Sequence, residues 1–492
     1  MNPLLYEINT RCWLHELSHR LGQNITLATV PDEEFSRWKE LGFTHVWLMG
    51  VWTTGPRARQ LAISEPSLRH TYDEVLPGWT EDDIAGSPYS IADYRVPETL
   101  GGEAGLASFR ERLHRIGLKL ILDFVPNHLG CDHPWLSTKP DLFVQSPKEV
   151  EGTFAQKTSS GVRWIAHGKD PYFPYWTDVA QLDYRKVITR AAIQEVILSV
   201  AARCDGVRCD MAMLLLNDVI LRTWGHFPFS GTMPRTEFWQ EAIPAVKRAY
   251  PDFLFMAEVY WGLEAHLQWL GFDYTYDKQL YDDLIWRHTT AVQQRLLASP
   301  QEYVASSVHF LENHDEARIA GALSLVEHRA AALIVLSVPG MTLLHDGQLT
   351  GARLKVPVQL GRRPDEPIRT DVQQMYNALL AALARTSVGR GQGEVLIPRA
   401  AWPGNPTGQN FVLVQWQAQP PDFDLVVVNL APHRSQCFAP VKIAGVEAHR
   451  WSIEDFLSAE TYERNGSDLA KRGFYLNVRE HAAQLFHFTP MK

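Results

Sequence analysis

The feature that most constrains the fold is an alternation along the first 345 residues, in which short β-prone apolar runs are separated by longer amphipathic stretches. The runs are LLYEIN (4–9), HVWLM (45–49), KLILDFV (119–125), GVRCDM (206–211), FLFMAEV (253–259), FDYTY (272–276), SVHFLE (307–312) and MTLLH (341–345). Helical periodicity occupies 32–41, 103–115, 187–203, 236–250, 279–297, 328–336 and 370–384. Repeated βα units make a parallel sheet, and eight of them predict a closed α/β architecture, a (β/α)8 TIM barrel, better than an open sheet, which needs fewer units.

Two connections are longer than turns. Residues 52–87 are rich in Pro, Gly and charge and show no helical pattern of their own, while 129–177 are rich in Pro, Lys and aromatic residues. Long βα connections sit over the catalytic face of a barrel and are commonly functional. The second is read as a small domain inserted after strand three, so that the barrel comprises 1–128 and 178–387. From residue 388 the pattern changes to Gly and Pro punctuation around FVLVQWQA, DLVVVNLA, RWSIEDFL and QLFHFTP. That pattern predicts a C-terminal antiparallel β-sandwich over 388–492.

Composition excludes several function classes. The net charge of −9 is mild for 492 residues, and Lys and Arg are scattered among acids, which argues against a nucleic-acid partner. No apolar stretch approaches membrane-spanning length, and the N-terminal residues lack the basic, apolar and small-residue sequence of an export signal. Cys12, Cys131, Cys204, Cys209 and Cys437 form an odd, irregular set that suits a reducing compartment. No membrane partner and a cytoplasmic location are therefore expected.

Chemistry concentrates where the strands end. Active sites of barrels are built at the carboxyl ends of the strands, and four strands here finish in polar residues: DFVPNH (123–128), GVRCD (206–210), AEVYW (257–261) and FLENHD (310–315). Three carboxylates, Asp210, Glu258 and Asp315, would converge on one mouth beside Arg208, His128 and His314. Such a cluster is costly, because like charges raise one another's pKa, and it is seldom kept for stability alone. Cleavage of a glycosidic bond with retention needs one ionised carboxylate as nucleophile and one protonated carboxyl as acid. Arg208 and Asp210, two residues apart on a strand, share a face. Arg208 is expected to hold Asp210 ionised, leaving Glu258 as the acid with the raised pKa.

These four strand ends resemble, in order, the four signature regions of the α-amylase family of retaining glycoside hydrolases. The resemblance implies Asp210 as nucleophile, Glu258 as acid/base and Asp315 as the stabiliser binding the ring hydroxyls. It also implies Arg208, His128 and His314 as sugar contacts, with Asp123 a structural member of the network. GSPYSIADY is similar to the stretch that places a tyrosine under the scissile sugar, here Tyr89. The inserted segment and the C-terminal module are similar to the family's own.

The match fails in two places. Where many members carry a Lys and a His after the nucleophile, this chain has Met213 and Leu214, an apolar pair that could exclude water and favour transfer. Where a structural calcium would use an Asp, AQLDY offers Gln181 beside Asn127, which removes a hard anionic ligand; no metal or other cofactor is expected. HLGCDH, with His128, Cys131 and His133, has no second Cys/His pair to complete a zinc site. The activity expected is hydrolysis of α-glucosidic bonds in oligosaccharides or α-glucans. Transglycosylation and phosphorolysis, which share the intermediate, are the alternatives, followed by a non-catalytic glucan-binding barrel.

Overall fold

The computed structural model describes residues 2–159 and 161–491. Eight parallel strands close into a barrel: β1 (Leu4–Asn9), β2 (His45–Met49), β3 (Lys119–Phe124), β4 (Gly206–Cys209), β5 (Leu254–Ala257), β6 (Tyr274–Tyr276), β7 (Ser307–Phe310) and β8 (Met341–His345). Closure is made by β8 against β1, with Leu5 beside Leu343 and Glu7 beside His345. Five strands are shorter than the sequence predicts. In three of them, β4, β5 and β7, the shortening removes terminal polar residues such as Asp210, Glu258 and Glu312, which leave the ladder at the mouth.

Alternation along each strand sorts the side chains into two cores. Leu5, Trp47, Ile121, Met256, Val308 and Leu343 fill the barrel interior, whereas Tyr6, Ile8, Val46, Leu48, Leu120 and Val207 pack outward beneath the helices. Each such buried side chain contributes about 2 kcal/mol of transfer free energy. The interior face turns polar one pleat nearer the carboxyl end. Leu5 is followed by Glu7, Ile121 by Asp123, Gly206 by Arg208 and Met256 by Glu258, and all four polar residues are buried.

The connections differ from the sequence reading in ways that have local causes. Residues 52–87 contain two helices, Pro56–Ser64 and Pro66–Val75, each opened by a proline at its first position, where the missing N–H costs nothing. The single helix expected at 279–297 is two, Lys278–Ile285 and Thr289–Ala298, because Arg287 takes a left-handed φ of 60° between them. A further helix, Thr10–Leu21, follows β1, capped by the Asn9 side chain accepting from Cys12 N–H and ended by left-handed Gly22.

After β3 the chain builds a five-stranded antiparallel sheet whose first and last strands in chain order, His128–Gly130 and Trp176–Gln181, pair with each other and reach past the limits 129–177 drawn from composition. This sheet starts from the mouth itself, since His128 is its first residue. Beyond the helix Thr370–Ala384 a six-stranded and a three-stranded antiparallel sheet face one another. Their runs FVLVQWQ and FDLVVVN are almost continuously apolar because both faces are covered. Phe411, Leu413 and Phe423 pack inside the sandwich, and Val412, Val414 and Trp416 pack toward the barrel, where Trp416 Nε1 donates to the Ser337 carbonyl at 2.7 Å.

Candidate active site

The site is organised by one guanidinium. Arg208, 1% exposed, lies on β4 in register with Asp123 of β3 and Met256 of β5, and its side chain points up the barrel axis into the mouth. Its Nη1 donates to Asp210 Oδ1 at 2.7 Å, and its Nη2 pairs with Glu258 Oε2 at 2.7 Å. Asp123 Oδ1 and Asp315 Oδ2 stand 3.8 and 3.9 Å away. The plane is fixed by the Tyr89 and Trp47 rings, whose centroids lie 5.1 and 5.5 Å from the guanidinium carbon.

All three proposed acids are therefore brought together, but the electrostatics differ from the expectation. Arg208 is shared between Asp210 and Glu258, so it cannot separate them by itself. Burial raises the carboxyl of Asp210 above the usual range despite Arg208, and burial with the neighbouring Asp210 and Asp315 pushes Glu258 up to about 7. Glu258 also accepts from Met211 N–H at 2.7 Å and from the Tyr260 hydroxyl at 2.8 Å. Asp315 is the acid held low: burial opposes this, but His314, then Arg208 and Lys355, outweigh it. The contact with His314 Nε2 is 2.9 Å, and the Asp315 side chain remains 44% exposed to the cleft.

The remaining predicted residues divide into wall and floor. Tyr89 stands against His314, its hydroxyl 2.7 Å from Nε2 and its ring stacked at 5.5 Å. Asp123 is 2% exposed beneath Arg208; its Oδ2 accepts from Gly50 N–H at 2.9 Å, and burial raises it to about 7. Gly50 sits at φ 80°, where a Cβ would lie 2.9 Å from Pro88. His128 is buried, and burial lowers it to about 4, so its ring is neutral near pH 7. Asn127 Nδ2 contacts His128 Nδ1 at 3.2 Å, and the Asn127 and Gln181 amides bond each other, Gln181 Nε2 to Asn127 Oδ1 at 3.0 Å. His128, Cys131 and His133 do not converge on a common point; among the described residues no three His, Cys, Asp or Glu side chains are grouped to hold a metal.

Met213 and Leu214 do not face the cleft, contrary to the sequence expectation. They are 0% and 4% exposed in a short turn of 3-10 helix, Ala212–Leu215, packed in the core behind the site, so they do not wall the leaving side. Beside Glu258 stand Met211 and Tyr260, which donate to its carboxylate, followed by Trp261; Met211 and Trp261 both take a left-handed φ (43° and 68°). The exposed ring of Trp261 meets the ring of Tyr172, on the loop before the last strand of the inserted sheet, edge-on at 4.9 Å. Glu7, missed in the sequence reading, is 0% exposed below His314, whose Nδ1 donates to its Oε1 at 2.5 Å. Its signal was available: an acid between Leu5 and Asn9 on the inward face of a barrel strand.

Comparison with known proteins agrees with the architecture. The chain is 26% identical over 307 residues to α-amylase MalA of Haloarcula japonica, covering 61% of this chain and 42% of that protein. It is 21% identical over 389 residues to α-amylase 3 of Dictyoglomus thermophilum, covering 75% of this chain and 66% of that protein. Thus the chain spans less than two thirds of the length of either curated relative. The crystal structure of a maltogenic α-amylase, AmyB, from Thermotoga neapolitana superposes with a TM-score of 0.68 at 18% identity, over 100% of this chain and 99% of that one. With the α-amylase catalytic-domain model matching residues 33–377, which span β2 to β8, the chain belongs to the α-amylase family.

Proposed function

We propose that the chain cleaves α-glucosidic bonds of oligosaccharides or α-glucans with retention, through a covalent glycosyl intermediate on Asp210. The observation that carries this reading is the bridging of Asp210 and Glu258 by one guanidinium at 2.7 Å each. A retaining mechanism requires two carboxyl groups close together on either side of one bond, without room for the extra water of an inverting enzyme. Glu258, raised to about 7, is protonated at the start of the cycle and gives its proton to the leaving oxygen, while Asp210 attacks the anomeric carbon. Glu258 then takes a proton from water, which displaces Asp210 from the sugar. Asp315, kept ionised by His314, accepts hydrogen bonds from the ring hydroxyls, and Tyr89 supplies the flat face beneath the ring.

No metal enters this reading. The position that would offer calcium a carboxylate holds Gln181, a neutral amide bonded to the Asn127 amide beside it. The five cysteines are buried and unpaired among the described residues, which supports a reducing compartment such as the cytoplasm. No helix among the described residues is long and apolar enough to cross a membrane. Trp261 and Tyr172 form an aromatic rim suited to the sugar rings on the leaving side.

Incubation with 4-nitrophenyl α-glucoside and with malto-, isomalto- and trehalose-type sugars, with and without phosphate, tests the reading. Release of products, and mass-spectrometric trapping of a fluorinated glucosyl donor on Asp210, are expected. Absence of both turnover and adduct would leave a glucan-binding barrel. Dependence of turnover on phosphate, or longer sugars as the main product, would replace water by phosphate or a sugar hydroxyl as the acceptor.

A further inference from the structure

The carboxylate of Glu7 lies outside the mechanism above, yet its only side-chain partner among the described residues is His314. Oε1 receives His314 Nδ1–H at 2.5 Å, and Oε2 has no hydrogen-bond partner among the described residues. The other ring nitrogen, Nε2, is 2.9 Å from Asp315 Oδ2 and 2.7 Å from the Tyr89 hydroxyl. Ionised carboxylates only accept hydrogen bonds. An imidazole set between two of them must donate from both nitrogens and is therefore an imidazolium.

We infer that Glu7 is a positioning residue for the sugar-binding wall: from inside the barrel it keeps His314 doubly protonated, so that Nε2–H is always turned to Asp315 and Tyr89. The inference rests on the proposed reading in one respect, that Asp315 and His314 hold the sugar. Glu7 itself, 0% exposed on β1, cannot touch substrate.

The groups that face the ring and its two carboxylate partners come from several elements. Glu7 of β1 lies below, the Trp47 ring of β2 stands edge-on at 5.6 Å, and Tyr89 stacks from the connection after β2. Asp123 of β3 and Asp210 of β4 act on His314 from across the barrel, and Tyr276 of β6 faces Glu7. The cations are Arg208 of β4 and Lys355 after β8, whose ammonium donates to the Asp315 carbonyl. Burial favours the neutral ring, but Asp315 and then Glu7 outweigh it and lift His314 to about 10. Tying Nδ1 to the rigid strand orients the ring, as the carboxylate partner of a metal-bound histidine does. Without Glu7 the ring would rely on the half-exposed Asp315 alone.

The test is an NMR pH titration of the full chain with isotope-labelled histidine, the His314 signals being assigned by their loss in His314→Gln. In the unmodified protein His314 is expected to stay charged beyond pH 8; titration near the ordinary 6.5 would overturn the inference without any Glu7 variant. Glu7→Gln keeps the shape and removes the charge, and is expected to lower the His314 midpoint by about 3 pH units, to about 7, so that the ring is mostly neutral at pH 8 and charged at pH 5.5. An unmoved midpoint in a folded Glu7→Gln protein would also overturn it. In kinetics, Glu7→Gln should lose about tenfold in kcat/KM relative to the unmodified enzyme at pH 8 and recover to within about twofold at pH 5.5, where the ring recharges. A loss that is equal at both pH values marks a merely structural role and counts against the inference. Failure of the unmodified protein to turn over any glycoside would sink the proposed function, whereas the titration would still decide whether Glu7 governs His314.

Discussion

The two walls of the cleft are built in opposite ways. On the wall of His314, Asp315 and Tyr89, side chains are tied to barrel strands by short charge-assisted bonds, from Glu7 on β1 through His314 to Asp315, with Arg208 on β4 completing the chain. On the wall of Met211, Tyr260 and Trp261, side chains hang on connections with left-handed backbone, and the outermost contact is ring against ring with Tyr172 from a loop of the inserted domain. The first wall is fixed by strands whose register cannot slip without turning every side chain over. The second is attached to segments free to change length and shape. Bond cleavage needs charges held to fractions of an ångström, whereas an acceptor is selected by shape and apolar contact, so on the proposed reading the rigid half of the fold would carry the former and the loops the latter.

The comparison can be broken first at the acids. Asp210→Asn and Glu258→Gln should each lower kcat by about three or more powers of ten while thermal unfolding shows an intact fold, because each removes a covalent or proton-transfer step. Near-normal turnover in either would remove the assigned role. For Glu258→Gln, substrates with good leaving groups should be far less affected than natural glycosides.

Next in size is Arg208→Lys. An ammonium cannot span Asp210 and Glu258 as the planar guanidinium does, so a loss of about a hundredfold in kcat/KM is expected although the charge is kept. Full activity would show that net charge alone, without the bridge, positions the acids.

The pH profile gives the next effect. Asp210 must be ionised and Glu258 protonated, so the rate should rise as pH passes the raised midpoint of Asp210 and fall as pH passes about 7, where Glu258 loses its proton. Each limb should change the rate about tenfold per pH unit. A plateau extending well above pH 8 would contradict the raised Glu258. The smallest effect is expected from Trp261→Ala, a several-fold rise in KM for oligosaccharides with little change for an aryl glucoside. If both substrates suffer alike, Trp261 belongs with the rigid wall.

Much of the site was legible because its residues end apolar strands. Asp210, Glu258 and Asp315 follow runs whose β character is unmistakable, and a barrel brings such ends to one mouth whatever the loops do. Glu7 was equally placed but was overlooked because it lies within a strand and not at its end. The two prolines that open the helices at 56 and 66 were visible, but a Pro- and Gly-rich composition favoured a loop reading. Met213 and Leu214 could not be placed by spacing, since the left-handed turn at Met211 decides whether the following residues face the cleft or the core.

What the sequence by itself determined was the succession of strands, the closure of the barrel and the place of Asp210, Glu258 and Asp315 at its mouth, because hydrophobic period and strand-end polarity are local properties. Tertiary structure alone decided how charge is distributed among them. That Arg208 is shared, that Glu258 and Asp123 are raised and that Asp315 is held low by a histidine charged from below all depend on distances between residues up to 307 positions apart. Electrostatic energy follows separation and burial in space, and neither can be read from position along the chain.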